Sequence, residues 1–297
     1  ALYTAKEAVE GVAPYRATHD SNSPERLALL YDLRAAIESN DLELHYQQEI
    51  DLAGRHVVRL EALARWQRSS DEQVPPSEFM PLAEKHGLPP ALTRWVLRTA
   101  LRDCAALHQA GFAVAVAINL SALDLQDLSL PKRIALELEK SGVSPEKLWV
   151  EVTETGVMRD PERSSRLLTE LRALGVCVAI DDFGTGQSSL AYLHTLPAND
   201  VKIDRSFVLR LARESHDQAI VRAIVRLAHE LGLTVTAEGV EDEMALKRLR
   251  HYGCDCAQGF FIAHPMPYEA LPAWLAEHPT AMGDTRAVDA APKVALR

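Results

Sequence analysis

Four cysteines in 297 residues leave little room for thiolate or disulfide chemistry. Cys104, Cys177, Cys254 and Cys256 are scattered, and the Cys254/Cys256 pair lacks the second pair that a zinc site needs. Their number and spacing exclude a disulfide scaffold, and the burial tendency of free cysteine reads them as core packing in a reducing compartment. No apolar run approaches the ~18 residues of a membrane span, and the opening ALYTAKEAVE has none of the zones of a signal peptide. Positive charge is also short. Lys and Arg number 32 against 42 Asp and Glu, a formal net charge of −10. Such a chain lacks the field that a generic nucleic-acid or anionic-membrane binder uses, so neither nucleic acid nor direct membrane contact is expected. A phosphate substrate stays open, provided that metal ions reverse the local charge.

What is present is ordinary globular composition, 47% apolar and 25% charged. From residue 42 onward, short runs rich in Val and Ile alternate with longer segments of helical period. The runs are Leu42–Ile50, His56–Trp66, Phe112–Leu120, Leu148–Thr153, Val176–Asp181, Asp200–Asp204, Leu233–Glu238 and Cys254–Gln258. Helical segments fall at Ala91–Gln109, Leu130–Ser141, Pro161–Leu174, Asp217–Leu231 and Asp242–His251, with Asp160-Pro161 opening one and Gly175 and Gly232 closing two. Apolar strands alternating with helices predict a parallel sheet covered on both faces, and eight of them favour closure into a barrel. Only Asp51–Arg55 joins the first two runs, too short for a parallel crossover. The expected fold class is therefore α/β, a modified (β/α)8 TIM-type barrel with its first strand antiparallel to the rest. Before it, a helix over Glu25–Ser39 follows the break Ser21-Asn22-Ser23-Pro24. After about Glu277 no periodicity remains, and the tail reads as disordered.

The polar residues fall where such strands end. Glu61 lies in the second run, Asn119 ends the third, and Glu151 falls in the fourth. Asp181 and Asp182 end the fifth, Lys202 is in the sixth, Glu238 ends the seventh and Gln258 the eighth. A single carboxylate at a strand end is unremarkable as a cap or surface charge. Six strands delivering catalytic or ligating residue types to the same end point to one site, because the carboxyl ends of barrel strands converge. The donors are all oxygen, which suits Mg2+ or Mn2+ rather than Zn2+, and adjacent Asp181 and Asp182 can flank two ions. Lys202 could hold a water, neutralise a phosphate, or serve only as an ion-pair partner. None of the eleven histidines ends a run, which argues against a histidine-based or zinc mechanism. Asp182-Phe183-Gly184 matches a kinase triplet without the loops that accompany it, and Gly184-Thr185-Gly186 lacks the third glycine of a dinucleotide fingerprint.

These motifs in this order resemble the EAL-domain family of cyclic di-GMP phosphodiesterases over about residues 25–275. Glu61-Ala62-Leu63 stands with Arg65 and Trp66, followed by Asn119-Leu120-Ser121 and Glu151-Val152-Thr153-Glu154. Asp181-Asp182-Phe183-Gly184-Thr185-Gly186, Lys202-Ile203-Asp204, Glu238-Gly239-Val240-Glu241 and Gln258-Gly259-Phe260 complete the set. The resemblance implies hydrolysis of cyclic di-GMP to linear pGpG, with two ions activating a water for in-line displacement. Glu61, Asn119, Glu151 and Asp181 would hold the first ion, with Asp181 shared and Asp182 on the second, which Glu238 would bind or orient through water. Glu61, Lys202 and Glu238 would be catalytic, with Lys202 positioning the water, and Gln47, Leu63, Arg65, Asp182 and Gln258 would contact substrate. Ca2+ would inhibit, since its looser coordination misplaces the nucleophile.

Glu154 would fix the loop containing Phe183, Gly184, Thr185 and Gly186, and a homodimer is expected through the Asp182–Leu190 region. Gln48, where the family often has Pro, and Gln187, where it often has an aromatic, depart from the pattern. Residues 1–20 are similar to the end of a GGDEF-like domain, and the first residue is Ala rather than Met. The expected organisation is that remnant, a linker and helix over 21–40, the barrel over 41–276 and the tail over 277–297. Upstream GGDEF-like and sensor domains would belong to a longer protein, cytoplasmic or tethered to a membrane through the missing segments. The competing reading is a cyclic di-GMP receptor that signals through its dimer; an enolase-like carboxylate barrel is a more distant one.

Overall fold

The computed structural model describes residues 24–54, 56–69, 71–185, 195–211, 214–278 and 280. The GGDEF-like remnant, Gly186, Gln187 and the tail after residue 280 lie outside the described residues. The chain divides into two compact units, Ala1–Glu43 with Arg65–Pro89 and Leu44–Ala64 with Pro90–Arg297.

In the smaller unit, helix α1 (Pro24–Ser39) buries Leu29, Leu33, Ala36 and Ile37. Strand β2 (Val57–Ser69) ends here, pairing antiparallel with the short β3 (Glu72–Val74), and helix α2 (Pro76–Lys85) follows. Trp66 meets Phe79 edge to face at 6.0 Å, and Arg68 bridges Asp32 at 2.7 Å and Glu72 at 3.2 Å. Helix α2 escapes the sequence pattern because Pro81 interrupts a segment of only ten residues.

The larger unit is the barrel. Its strands are β1 (Leu42–Asp51), β2, β4 (Ala115–Leu120), β5 (Leu148–Thr153), β6 (Cys177–Phe183), β7 (Asp200–Ile203), β8 (Thr234–Ala237) and β9 (Cys256–Gln258). They lie in the order β1-β9-β8-β7-β6-β5-β4-β2, and β1 also pairs with β2, which closes the ring. Each neighbouring pair from β2 through β9 is parallel, and β1 is antiparallel to β9. All eight predicted runs are thus barrel strands, and the odd one is the first. Its turn is held by Asp51, whose carboxylate accepts from the backbone N–H groups of Gly54 and, at 2.8 Å, His56.

The connecting helices are α3 (Pro89–Gln109), α4 (Leu130–Ser141), α5 (Glu154–Met158), α6 (Pro161–Ala173), α7 (Arg205–Val208), α8 (Ser215–Glu230) and α9 (Glu243–Tyr252). The two-residue β10 (Met266–Pro267) and α10 (Leu271–Glu277) follow. Caps set their ends: Asp160 accepts from Arg163 N at 3.2 Å to open α6, and Asp242 accepts from Ala245 N at 2.7 Å to open α9. Cys104, Cys177 and Cys254 are buried, and burial pushes the Cys104 thiol up to about 12, so they pack rather than react. Among the described residues no helix is long and apolar enough to cross a membrane.

Candidate active site

Because successive side chains alternate across a strand, residues two apart share a face. That rule gathers Gln47 of β1, Glu61 of β2, Glu151 of β5, Lys202 of β7 and Gln258 of β9 inside the barrel, with Glu238 just past β8. The Lys202 side chain is fully buried. Its Nζ lies 2.7 Å from Glu151 Oε2, 2.6 Å from Glu238 Oε1 and 3.7 Å from Glu61 Oε2. Glu61 is clamped from two sides: Asn119 Nδ2 donates to Oε1 at 2.8 Å and Gln258 Nε2 donates to Oε2 at 2.6 Å. Gln258 Nε2 also reaches Gln47 Oε1 at 3.0 Å, and Gln47 Nε2 donates to the Ala263 carbonyl at 3.1 Å.

Gly259 is required behind Gln258, because a Cβ there would lie 2.2 Å from the backbone of Val240, whose N–H donates to Gln258 O at 3.0 Å. The carboxyl ends of β8 and β9 are thereby held against each other, with Gln258 and Glu238 on them.

Asp181 and Asp182 are consecutive, so an unbroken strand would send them to opposite faces. The β6–β7 register shifts between Ile180 and Phe183, and Asp182 takes φ 54, in the left-handed region. Such a bulge re-aims side chains. Oxygens of Asp181, Asp182 and Glu238 come within 4.8 Å of one another. The strained turn is pinned locally. Asp182 N–H donates to Asp181 Oδ1 at 2.8 Å, and Asp182 O accepts from Thr185 Oγ1 at 2.8 Å. Glu154, the first residue of α5 and buried, accepts from the Gly184 N–H at 3.2 Å, so it grips the start of the following loop. Phe183 is buried and Thr185 exposed. Leu63 is half-buried on the face of β2 that carries Glu61, and Arg65 falls in the smaller unit.

The charges respond to this crowding. Burial raises Glu151 well above the usual carboxylate range despite Lys202 beside it, and burial raises Asp181 and Asp182 too. Burial pushes Glu238 up to about 8, with Asp181 and Glu61 adding to the effect and Lys202 opposing it. Glu61 goes the other way. Burial would raise it, but Lys202 and the amides of Gln258 and Asn119 prevail. Burial would lower Lys202, yet Glu151, Glu238, Glu61 and Asp181 hold it firmly as an ammonium.

Glu151 Oε1 is buried without a hydrogen-bond partner. An orphaned buried carboxylate oxygen, in the same site as the Asp181, Asp182 and Glu238 oxygens that gather within 4.8 Å, fits a hard divalent cation, which takes oxygen donors.

Sequence reasoning missed the level below: Glu49, Arg59, Trp149, Asp200 and Thr236. It is also inside the barrel, and its only sequence signal was charge within otherwise apolar runs.

Fold and site together define an α/β barrel with a carboxylate–lysine centre at the carboxyl end of its parallel strands. The EAL domain profile matches residues 31–265, and the chain belongs to the EAL-domain family. It is 42% identical over 278 residues to the bifunctional diguanylate cyclase/cyclic di-GMP phosphodiesterase MucR of Pseudomonas aeruginosa, covering 93% of this chain and 41% of MucR. With the cyclic di-GMP phosphodiesterase NbdA of the same organism it shares 41% over 252 residues, 84% of this chain and 32% of NbdA. The chain therefore spans about a third to two fifths of these curated relatives. Among solved structures, the PaMucR phosphodiesterase in complex with c-di-GMP superposes with TM-score 0.79 at 43% identity, covering 82% of this chain and 99% of that one. The FimX EAL domain from Pseudomonas aeruginosa bound to c-di-GMP gives TM-score 0.74 at 26% identity, over 80% and 96%.

Proposed function

We propose that this chain is a hydrolase of cyclic di-GMP that yields linear pGpG and depends on divalent metal. The observation that carries the reading is the buried Lys202 ammonium held between Glu151 at 2.7 Å and Glu238 at 2.6 Å, within an EAL-family barrel. In this reading Glu61, Asn119, Glu151 and Asp181 would hold one Mg2+ or Mn2+ ion, and Asp182, with Asp181 shared, would hold a second that Glu238 binds or orients through water. The ions would polarise the attacking water and the scissile phosphate and offset charge on the leaving oxygen.

The remaining work falls to side chains. Lys202, kept as an ammonium, has donors and no acceptor, so it orients the water or a phosphate oxygen and takes no proton. The carboxylates around it are the acceptors for the proton that leaves the water. Gln258 and Gln47, joined at 3.0 Å, with Leu63 and Asp182, form the substrate contacts within the larger unit. Glu154, through the Gly184 N–H, ties the loop after β6 to this end of the barrel, which supports regulation by a homodimer formed there.

The decisive experiment is incubation of the purified chain with cyclic di-GMP and Mg2+ or Mn2+, with products separated by chromatography. Appearance of pGpG is expected, with Ca2+ supporting binding but little turnover. Tight binding without product under Mg2+ and Mn2+ would overturn the hydrolase reading in favour of a receptor.

The raised carboxylates add a pH prediction. Glu151, Asp181, Asp182 and Glu238 bind protons more tightly folded than unfolded. Their contribution to stability is full below their ordinary pKa and is lost as pH rises through the folded value, about 8 for Glu238. Thermal melts of the metal-free protein should therefore show Tm falling between pH 5 and pH 8. Added Mg2+ should restore it most at the alkaline end, with protons released on binding.

A further inference from the structure

Below the carboxylates lies a polar layer that the proposed reaction does not use. Arg59 fills it. Its Nε and Nη2 each lie 2.6 Å from Glu49 Oε2, and Nη2 also reaches Asp200 Oδ2 at 2.9 Å and Thr236 Oγ1 at 3.2 Å. The guanidinium stacks 3.9 Å over the Trp149 ring centroid. Every polar partner of Arg59 in this layer is buried.

Glu49 is the residue that faces both levels. One oxygen is committed to Arg59; the other, Oε1, has no hydrogen-bond partner and lies 3.8 Å from Lys202 Nζ. A buried carboxylate oxygen without a donor is unfavourable, and here the cation it faces is the active-site lysine. The other anions around Lys202 are Glu61, Glu151, Glu238 and Asp181, all assigned above to cations. Glu49 differs because Arg59 anchors it, and Arg59 is itself tied to Asp200, two residues before Lys202 on β7. Glu49 Oε2 is tied to Arg59 in the layer below, and the Glu49 oxygens are not among those that gather at Asp181, Asp182 and Glu238.

We infer that Glu49 is a positioning residue for Lys202: an anion outside the ligand set, fixed by Arg59, that keeps the ammonium in place once Glu61, Glu151 and Glu238 share their charge with metal. This rests on the hydrolase reading. A purely structural pairing with Arg59 would predict effects on stability alone.

The test uses Glu49→Gln, which keeps the shape and removes the charge, and the triple variant Glu49→Met/Arg59→Met/Asp200→Asn, which removes the whole ion cluster so that Asp200 is not left as an unpaired buried carboxylate. Four readouts are taken on each: kcat and KM for cyclic di-GMP, Mn2+ affinity by calorimetry, Tm, and the 15N NMR signal of the Lys202 ammonium in Mg2+-loaded protein. That signal is assigned with Lys202→Arg.

For Glu49→Gln, kcat is expected to fall about 10-fold or more with KM within about twofold, the pattern of an interaction realised in the transition state. Mn2+ affinity should stay within about threefold while the Lys202 signal shifts or broadens. The triple variant should retain Tm and lose kcat, and it decides the matter if the single variant does not fold. A kcat within twofold of the parent in either variant overturns the inference. So does a loss of Mn2+ affinity as large as that of Glu61→Gln, which would make Glu49 a ligand. If the parent protein binds Mn2+ but yields no pGpG, the hydrolase reading fails by itself. The Lys202 signal then decides the placement: moved by Glu49→Gln it stands, unmoved it falls.

Discussion

Replacing Glu61 with alanine is expected to lower turnover of cyclic di-GMP by at least ~10²-fold, the scale of losing one preorganised electrostatic element of a site. The reason is the number of groups that one carboxylate fixes. It accepts from Asn119 at 2.8 Å and from Gln258 at 2.6 Å, and it stands 3.7 Å from Lys202. Its removal frees a candidate ligand amide and a candidate substrate amide together, and it subtracts a charge that stays ionised when its neighbours tend to protonate. Single-turnover measurement with saturating Mn2+ separates this from weakened metal binding, and a thermal melt confirms folding. Near-normal turnover would refute the place given to Glu61.

The second large effect is on folding as well as activity. Lys202→Met should destabilise the metal-free protein by about 3–5 kcal/mol, the usual cost of removing one partner from a buried ion cluster. Glu151 and Glu238 would lose the cation at 2.7 Å and 2.6 Å, and the other side chains paired with Lys202, Glu49 and Glu61, are carboxylates that cannot replace it. The carboxylates would respond by holding protons more tightly still. Loss of stability should therefore be larger at pH 8 than at pH 5, because the folded variant binds more protons than the folded parent across that interval, while the carboxylates of the two unfolded chains titrate alike. Urea unfolding at the two pH values checks this. An equal loss at both would mean that the lysine acts by packing rather than by charge. Turnover should be abolished even where Mg2+ restores stability.

Much of this is legible in the amino-acid sequence. The eight strands announced themselves through runs of Val and Ile, and closure followed from their number. The antiparallel first strand followed from the brevity of the turn around Gly54. The residues at the strand ends, from Glu61 to Gln258, were visible because carboxylates and amides are out of place beside apolar runs.

Four things were not legible. The bulge that turns Asp181 and Asp182 to one place depends on the pairing of β6 with β7, and nothing in the two residues themselves encodes it. The Arg59 layer joins groups far apart in sequence: its bond to Asp200 spans 141 residues and its bond to Thr236 spans 177. And β1 carries Gln47, Gln48 and Glu49 in succession, so no alternation marks its inner face. Gln47 and Glu49 turn inward to partners, whereas Gln48 is fully buried with both amide atoms unpaired. The short helices α5 and α7, of five and four residues, are too brief to show a period.

The antiparallel first strand has a consequence for how the molecule assembles. Its hairpin with β2 is local and can form early, but its other edge must wait for β9 at the far end of the chain. Gln258 donates to Gln47 across 211 residues and to Glu61 across 197, so the amide clamp on Glu61 sits astride that last seam. Contacts of such separation carry the largest loop-closure cost and form late. A nascent or partly opened barrel would thus hold most of the carboxylates on formed strands while lacking the grip that orders Glu61. Competence of the centre becomes a report on ring closure, and a cation that prefers the finished arrangement would act as a latch on the seam.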